Sequence, residues 1–401
     1  MRTLTFNADL PKIAATMILS KFSKKAYNSK FSPVVLENIE RQPLPKEDWI
    51  RVKNIQTGIC GTDMTFYTCK QSSSIAMYPV PGNSKVYMGH ETVGEVTEIG
   101  DNVTDLKVGD RVIMRKYMQC CALKGYREDD WCDNCKKGEY SICSNYGKDP
   151  LVNVTTGAGM GDEYIGPRSQ VIKIDKNVTN DQAILIEPAA VSIHSVMKKI
   201  PEKGDKVLVI GAGMIGLNIV QFIKVLQPDC TVYVIERSKK KQKLALKLGA
   251  DKIVEGDAYS YFEKETNAKL YKKGDNKMLI GGLDIIYDSV GKDYIFNTAI
   301  RLLRARGTYV KVGFQMTPTK FDETPIWWQE INIIGVDSYG MEEYKGNTIQ
   351  SFDLVLKLLK EKKITLDDFI TSRYKLSNYK KAFYKMLTSG DKEIKIVLEI
   401  D

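Results

Sequence analysis

The sequence predicts an α/β protein in which a β-rich domain is followed by a parallel α/β domain. Short β-like runs separated by glycine and proline occupy residues 33–190 and are typical of an irregular antiparallel domain. Beyond residue 200, apolar strand candidates alternate with helical stretches, which indicates a parallel sheet. A glycine-rich turn lies at the first strand-to-helix junction of this second part. These three observations define the expected fold class.

The individual elements follow from the same patterns. In the first domain, β-like runs lie at 49–55, 92–100 and 110–114. In the second domain, the apolar runs predict strands at 206–210, 231–236, 284–290, 308–313 and 331–336. Helical periodicity lies between them at 217–226, 240–249 and 296–304. The end of the chain predicts a helix over 349–363 and a last strand over 394–400.

Composition excludes several classes of protein. The 401 residues are 43% hydrophobic and 27% charged, which argues against a disordered or fibrous chain. No stretch of about 18 uncharged apolar residues occurs, so we expect no membrane span. The net charge of +9 is interspersed along the chain, with small lysine clusters at 239–241 and 360–363. This distribution favours solvated faces over a nucleic-acid site.

The first residues of the chain lack the layout of a signal peptide, and their apolar run at 13–19 is short. We expect an amphipathic helix in this segment. We also expect a cytoplasmic protein with no membrane partner. Eight cysteines in a chain of this length are too few for a disulfide scaffold.

The glycine-rich turn has the form G-x-G-x-x-G and opens a helix directly after the strand candidate 206–210. Glu236 ends the next strand, twenty residues beyond the last glycine. This context is the one required for a dinucleotide fingerprint, in which the pyrophosphate rests on the helix N-terminus. The residues of the turn are Gly211, Ala212, Gly213, Met214, Ile215 and Gly216. The sequence therefore predicts a nicotinamide cofactor.

Glu236, at the end of the second strand, bears on the choice between NAD and NADP. Glu236 would accept hydrogen bonds from a ribose diol and would repel a 2′-phosphate, which favours NAD. Arg237 and the lysines at 239–241 follow at once and could offset this repulsion. We predict NAD as the preferred cofactor and leave NADP open.

A second set of residues combines a thiol, an imidazole and carboxylates. Thiolate, imidazole and carboxylate are all zinc ligands, and the chain has only two histidines. These residues are far apart in the sequence, so the spacing alone also fits a buried cysteine and a core histidine. The set comprises Cys60, Thr62, Asp63, His90, Glu91 and Glu187.

A third set is a cluster of cysteines. Four of the eight lie between Cys120 and Cys135, and Cys143 follows. The spacing Cys132-x2-Cys135-x7-Cys143 suits a closed tetrahedral zinc site more than disulfides. The fourth ligand is open, and the candidates are Asp129, Cys120 and Cys121.

The chain resembles the zinc-dependent medium-chain dehydrogenases, in which these motifs occur in the same order. That family includes alcohol, sorbitol, threonine and glucose dehydrogenases. Further matches are the Val-Gly-Asp-Arg-Val run at 108–112 and Glu187 followed by Pro188. The resemblance implies a GroES-like domain over 1–190 and a doubly wound Rossmann domain over 191–340. It also implies a C-terminal return to the first domain over 341–401, and a homodimer or homotetramer.

The resemblance also implies roles for the candidate residues. Cys60, His90 and either Glu91 or Glu187 would hold a catalytic zinc, and Asp63 would support the ligand histidine. Thr62 would receive the alcohol proton, and Thr65 stands where many relatives have a relay histidine. The structural zinc would be bound by Asp129, Cys132, Cys135 and Cys143.

The function implied is oxidation of a secondary alcohol, polyol or aldose by hydride transfer to NAD(P), with the nicotinamide held beside the zinc. A narrower alternative is an archaeal-type glucose dehydrogenase, which shares the Cys-Gly-Thr-Asp run and lacks the relay histidine. An alternative of another class is a non-catalytic, zinc-stabilised nucleic-acid-binding protein, although no basic stripe with interleaved aromatics supports it. A zinc-free quinone reductase would lack Cys60, His90 and the cysteine cluster.

Overall fold

The computed structural model describes residues 1–70, 85–115, 131–145, 156–274, 276–315, 318 and 320–401. In this part of the chain, the structure divides into two compact units. Unit 1 contains Met1–Glu187 together with Leu366–Asp401, and unit 2 contains Pro188–Thr365.

The strands of the described residues are numbered along the chain. They are β1 (Arg2–Asn7), β2 (Val34–Asn38), β3 (Trp49–Gly58), β4 (Lys85–Tyr87), β5 (Glu91–Ile99), β6 (Arg111–Met114), β7 (Glu163–Pro167), β8 (Val171–Lys173), β9 (Lys206–Ile210), β10 (Thr231–Ile235), β11 (Lys252–Ile253), β12 (Lys269–Lys273), β13 (Asn276–Ile280), β14 (Leu283–Asp288), β15 (Leu303–Lys311), β16 (Asn332–Gly335), β17 (Met341–Tyr344), β18 (Asn347–Gln350), β19 (Ile370–Lys375) and β20 (Lys395–Glu399).

The helices are numbered in the same way. They are α1 (Leu10–Ser20), α2 (Gly61–Tyr67), α3 (Asp133–Lys136), α4 (Asn180–Met197), α5 (Met214–Leu226), α6 (Lys239–Lys247), α7 (Ala258–Thr266), α8 (Asp293–Ala299), α9 (Thr324–Trp328), α10 (Ser351–Lys360) and α11 (Tyr379–Ser389). Among the described residues, no helix has the length and apolar character needed to cross a bilayer.

Unit 1 is built on a seven-stranded sheet in the order β19-β20-β3-β5-β6-β8, with β7 also paired to β3. All of its pairs are antiparallel except β19 with β20. The runs at 49–55, 92–100 and 110–114 fall within or around β3, β5 and β6. The last strand of the chain, β20, lies beside β3 and joins the start and the end of the unit in one sheet.

Unit 2 is built on a six-stranded sheet in the order β11-β10-β9-β14-β15-β16, and every neighbouring pair is parallel. Counted along the chain, this is the order 3-2-1-4-5-6 of the doubly wound dinucleotide-binding fold. The central strand β9 is apolar and buried from Val207 to Ile210, as expected for a strand covered on both faces. The predicted α/β fold class is confirmed.

One local prediction for unit 2 needs correction, and one element was missed. The helical pattern over 296–304 ends early, because α8 stops at Ala299 and β15 begins at Leu303. Leu302 and Leu303 are fully buried, and their burial in the sheet core overrides the helical periodicity. The antiparallel hairpin β12–β13 was not predicted from the sequence.

The boundaries of the two units lie after Glu187 and after Thr365, whereas the resemblance suggested about 190 and 340. The hairpin β17–β18 stays with unit 2 because the Nδ1 atom of His194 lies 2.6 Å from the carboxylate of Glu342. Both side chains are buried. The side-chain amide of Gln221 donates to the carbonyl oxygen of Thr365 and accepts from its backbone N–H, at 3.1 Å each. These two bonds keep the chain in unit 2 as far as Thr365.

An aromatic cluster holds α2 in unit 1. The rings of Tyr67, at the end of α2, and Phe383, on α11, lie 5.0 Å apart, and Tyr379 stacks edge-on against Phe383. Phe383 is fully buried. The C-terminal helix therefore fixes the position of the short helix that follows Cys60.

We expect Phe383→Ala to lower the free energy of unfolding by about 3–5 kcal/mol, because it leaves a cavity beside Tyr67. Phe22→Ala is the matched control, since the Phe22 side chain is 86% exposed and should change the value by less than about 0.5 kcal/mol. Denaturant titration of both variants measures the difference. Equal losses in the two variants would contradict the assignment of Phe383 to the core.

Candidate active site

Cys60 lies at the junction where β3 ends and α2 begins. It is the N-cap residue of α2, with extended backbone angles (φ −90°, ψ 161°). Its backbone N–H donates to the carboxylate of Asp63 at 2.9 Å, and its Sγ atom lies 3.7 Å from the hydroxyl of Thr62. The capping arrangement therefore orients the thiol and brings Thr62 and Asp63 next to it.

The register of β3 with β5 brings His90 and Glu91 to Cys60. Gly58 pairs with Glu91, so the residues just beyond Gly58 lie beside those that precede Glu91. The potential ligand atoms of Cys60, His90 and Glu91 all lie within 4.8 Å of one another. Residues separated by thirty positions in the sequence thus form one group.

Lys395, at the start of β20, is a member of this site that the sequence analysis missed. Its ammonium group donates to Glu91 Oε2 at 2.5 Å and to the carbonyl oxygen of Ile59 at 3.3 Å. Both Lys395 and Glu91 are buried. Gly58 makes room for the pair, because a Cβ atom there would overlap Glu91 Oε2. A lysine within the apolar run 394–398 was the only signal available in the sequence.

Glu187 occupies a different position from Glu91. It is buried in α4 and affects Lys395 electrostatically, but it does not belong to the group of three ligand atoms found among the described residues. Thr65, at the position of the relay histidine, donates its hydroxyl to the carbonyl oxygen of Gly61 at 3.1 Å. Its hydroxyl is therefore engaged within α2.

The electrostatics of the group favour a cation. Burial, together with the carboxylates of Glu91 and Asp63, raises the pKa of the Cys60 thiol to about 11 against the opposing charge of Lys395. Burial also raises the pKa of Asp63, although His90 and the backbone N–H of Cys60 oppose this. Three acidic groups thus lie together with one lysine, and Asp63, Glu91 and Lys395 are buried. A divalent ion beside Cys60 would lower the pKa of its thiol and balance the site.

The three described cysteines of the cluster are also brought together. Cys132, Cys135 and Cys143 have Sγ atoms within 4.8 Å of one another, and those of Cys132 and Cys143 lie 3.9 Å apart. This separation is too long for a disulfide and matches the roughly 3.8 Å edge of a tetrahedron with zinc–sulfur bonds of about 2.3 Å. The three candidates for the fourth ligand, Asp129, Cys120 and Cys121, lie outside the described residues.

The cysteines of this cluster ionise differently from Cys60. Burial opposes ionisation of Cys132, but hydrogen bonds from the backbone of Cys135 and Ser144, and from neighbouring thiols, lower its pKa to about 6. Burial raises the pKa of Cys143. The first thiolate needed to capture a metal is therefore already present near neutral pH.

The glycine turn of unit 2 has the geometry of a phosphate-binding loop. Gly211 has a φ of +90°, which favours glycine, and a Cβ at Gly216 would overlap the carbonyl oxygen of Gly211. Gly213, the N-cap residue of α5, has open space where a Cβ would point. The backbone can therefore approach a ligand closely at the helix N-terminus. The buried Ala212 and Met214, with Ile215, complete the turn.

Glu236 follows β10 and lies against the glycine turn. Its carboxylate accepts hydrogen bonds from the backbone N–H of Ala212 at 3.0 Å, Arg237 at 2.7 Å and Ser238 at 2.8 Å. The Arg237 side chain is exposed. These contacts keep a negative charge at the end of the second strand, where a ribose diol would bind.

Comparison with known proteins agrees with this architecture. A family model described as an alcohol dehydrogenase GroES-like domain matches residues 46–176, and one described as a zinc-binding dehydrogenase matches residues 215–353. A D-arabitol-phosphate dehydrogenase of Enterococcus avium is 28% identical over 360 residues, covering 89% of this chain and 91% of that protein. Sorbitol dehydrogenase 1 of Saccharomyces cerevisiae is 26% identical, with 91% and 97% covered.

Among solved structures, galactitol-1-phosphate dehydrogenase from Escherichia coli has the same fold, with a TM-score of 0.73 at 19% identity over 100% of both chains. The two family models together cover more than half of the sequence. The chain therefore belongs to the zinc-dependent medium-chain dehydrogenase/reductase family. It is a zinc-dependent dehydrogenase that uses a nicotinamide cofactor.

We expect iodoacetamide to alkylate Cys132 before Cys60 in metal-stripped protein at neutral pH. With a pKa of about 6, Cys132 is mostly thiolate above that pH, and its labelling slows as the pH falls through 6. Cys60, with a pKa of about 11, stays protonated until strongly alkaline pH. Peptide mass spectrometry measures both rates, and the buried Cys69, also with a pKa of about 11, is the slow control. Equal rates for Cys60 and Cys132 would contradict the prediction.

Proposed function

We propose that this dehydrogenase oxidises an open-chain polyol at a secondary hydroxyl and transfers the hydride to NAD. The observation that carries the proposal is the group of Cys60, His90 and Glu91, whose ligand atoms lie within 4.8 Å of one another. The relatives with the names D-arabitol-phosphate dehydrogenase and sorbitol dehydrogenase cover about nine-tenths of the chain and support a polyol as the substrate class.

Within unit 1, we assign separate roles to the residues around this group. Cys60, His90 and Glu91 would hold the zinc, which when bound supplies the Lewis acidity that lowers the pKa of an alcohol oxygen. Thr62 would accept the hydroxyl proton of the substrate, since its Oγ1 atom lies 3.7 Å from Cys60 Sγ. Asp63 interacts electrostatically with His90 and would orient its ring.

Lys395 supports the choice of Glu91 over Glu187 as the carboxylate ligand. Its ammonium group engages one oxygen of Glu91 at 2.5 Å, and a carboxylate retains a second oxygen for a metal. Burial lowers the pKa of Lys395, but the attraction to Glu91 and to the ionised form of Cys60 outweighs burial, so the pKa is raised. The lysine would therefore remain charged and hold Glu91 in place during turnover.

We further propose that Cys132, Cys135 and Cys143 bind a second, structural zinc with a fourth ligand among Asp129, Cys120 and Cys121. The separation of 3.9 Å between two of the sulfurs supports this assignment. The homo-oligomeric state and the cytoplasmic location remain predictions. The aldose alternative differs from the polyol proposal only in substrate, and a substrate panel separates the two.

The test measures, by absorbance, the reduction of NAD by the zinc-loaded protein. The substrates offered separately are sorbitol, arabitol, xylitol, arabitol phosphate and glucose. We expect turnover with at least one polyol. The Cys60→Ala variant should lose turnover and should also lose about one zinc ion per chain. Cys69→Ala is the matched control and should keep both, because this buried cysteine lies outside the two ligand groups.

The affinity for NADH, measured by fluorescence, separates metal loss from cofactor loss. It should be nearly unchanged in Cys60→Ala, because Cys60 belongs to unit 1 and the glycine turn to unit 2. An equal loss of NADH affinity and turnover would contradict this division of roles. If glucose is the one substrate of the panel that is turned over, the proposed substrate class changes from a polyol to an aldose.

We expect Glu236→Ala to shift the ratio of kcat/KM for NAD over NADP toward NADP by about tenfold or more. The reason is the loss of a charged acceptor, worth about 1.5–3 kcal/mol, and of its repulsion toward a 2′-phosphate. Glu202→Ala is the control, since Glu202 is an exposed glutamate of the same unit and pairs with Lys199 at 3.9 Å. An unchanged ratio would show that Arg237 and the nearby lysines set the preference instead.

A further inference from the structure

Helix α1 presents apolar side chains away from the core of unit 1. Its inner side packs through Ile13, and the hydroxyl of Thr16 donates to the carbonyl oxygen of Phe31 at 2.7 Å. Thr16 is the buried residue of this helix. The outer side bears Leu10, 74% exposed, and, at helical spacings of three to four residues, Ala14, Met17 and Ile18.

The segment that follows α1 also bears exposed aromatic side chains. Phe22 is 86% exposed, and Phe31, near the end of the segment, is also exposed. Single exposed hydrophobic residues are ordinary, but a contiguous stripe along one side of a helix indicates an interaction site. The usual amphipathic arrangement, with the apolar side toward the core and the polar side toward water, is therefore reversed in α1.

The charge of this segment is entirely positive. Residues 10–31 contain five lysines and no Asp or Glu. Lys12 pairs with Asp9 at 3.6 Å, and the other four lysines are exposed. On α11, Lys380 and Lys381 are exposed as well, and the Lys380 ammonium group donates to the carbonyl oxygen of Asn28 at 3.1 Å. The exposed lysines of the segment are Lys21, Lys24, Lys25 and Lys30.

We infer that the segment 10–31 is a docking surface for an anionic lipid bilayer. An apolar helical side followed by a lysine-rich segment can lie in the plane of a membrane interface, with its apolar residues among the acyl chains and the ammonium groups at the phosphates. Clusters of four to eight basic residues beside a membrane-binding helix are typical of binding to anionic lipids, and four exposed lysines follow α1. The site is separate from the dehydrogenase chemistry and does not rest on the proposed substrate.

The charge pattern favours a bilayer over a second copy of the chain. A symmetric contact through α1 would bring two lysine-rich segments together, and like charges across an interface oppose association. Binding to an anionic surface is instead strengthened by each lysine. The sequence predicted no membrane partner because no span is present, but binding at the surface of a bilayer requires no span.

The experiment is co-flotation of the full-length, zinc-loaded enzyme with vesicles of phosphatidylcholine and phosphatidylserine. We expect binding to these vesicles, little binding to phosphatidylcholine alone, and release by high salt, because the lysine contribution is screened. Ile18→Ser with Phe22→Ser removes apolar contact and keeps the charge. A second variant, Lys21→Gln with Lys24→Gln and Lys25→Gln, removes charge and keeps the apolar contact. Each multiple variant should weaken binding by at least about tenfold.

Tyr271→Ser is the matched control. Tyr271 is 50% exposed in the lysine-rich strand β12, so it tests whether any exposed aromatic residue among lysines suffices. It should bind vesicles as the wild type does, and all variants should keep dehydrogenase activity in solution. Absence of binding to anionic vesicles would overturn the inference. So would a lower molar mass by light scattering in the Ile18→Ser, Phe22→Ser variant, since the surface would then join copies of the chain.

Discussion

The candidate active site depends on the antiparallel register between β3 and β5. Because Gly58 pairs with Glu91, the residues beyond one strand and before the other meet at the same end of the sheet. A shift of the register by one residue would reverse the side of every following side chain and separate Cys60 from His90. The pairing of β20 with β3 then adds Lys395 to the same place. Three distant segments of the chain thus form one site through main-chain hydrogen bonds.

The two cysteine-containing groups differ in how they are prepared for a metal. At Cys60, burial and neighbouring carboxylates oppose ionisation of the thiol, so the thiolate requires the cation itself. At Cys132, backbone N–H donors stabilise the thiolate without a metal. Each group has one buried and two partly exposed members, so the two groups differ in the electrostatics of their thiols and not in their exposure.

Unit 2 uses local structure where unit 1 uses long-range pairing. The glycine turn, the N-terminus of α5 and Glu236 are all supplied within about thirty consecutive residues by one β-α-β unit. The carboxylate of Glu236 bonds the turn itself through Ala212, so the same residue stabilises the loop and defines the charge at its edge. The cofactor site therefore remains recognisable in the sequence, whereas the metal site is scattered along it.

The sequence by itself determined the features that arise from neighbouring residues. The alternation of strands and helices, the glycine turn with Glu236, and the spacing of Cys132, Cys135 and Cys143 each depend on local geometry, and all were predicted. Resemblance to a family added the pairing of Cys60 with His90, which spacing alone could not establish.

Only the tertiary structure decided the features that depend on long-range packing. It brought Lys395 to Glu91, grouped Glu91 rather than Glu187 with Cys60, and kept the hairpin β17–β18 in unit 2 through His194 and Glu342. It also ended α8 early and turned the apolar side of α1 outward. Periodicity shows that a helix has an apolar side, but which side meets the core depends on the surfaces that the rest of the chain provides.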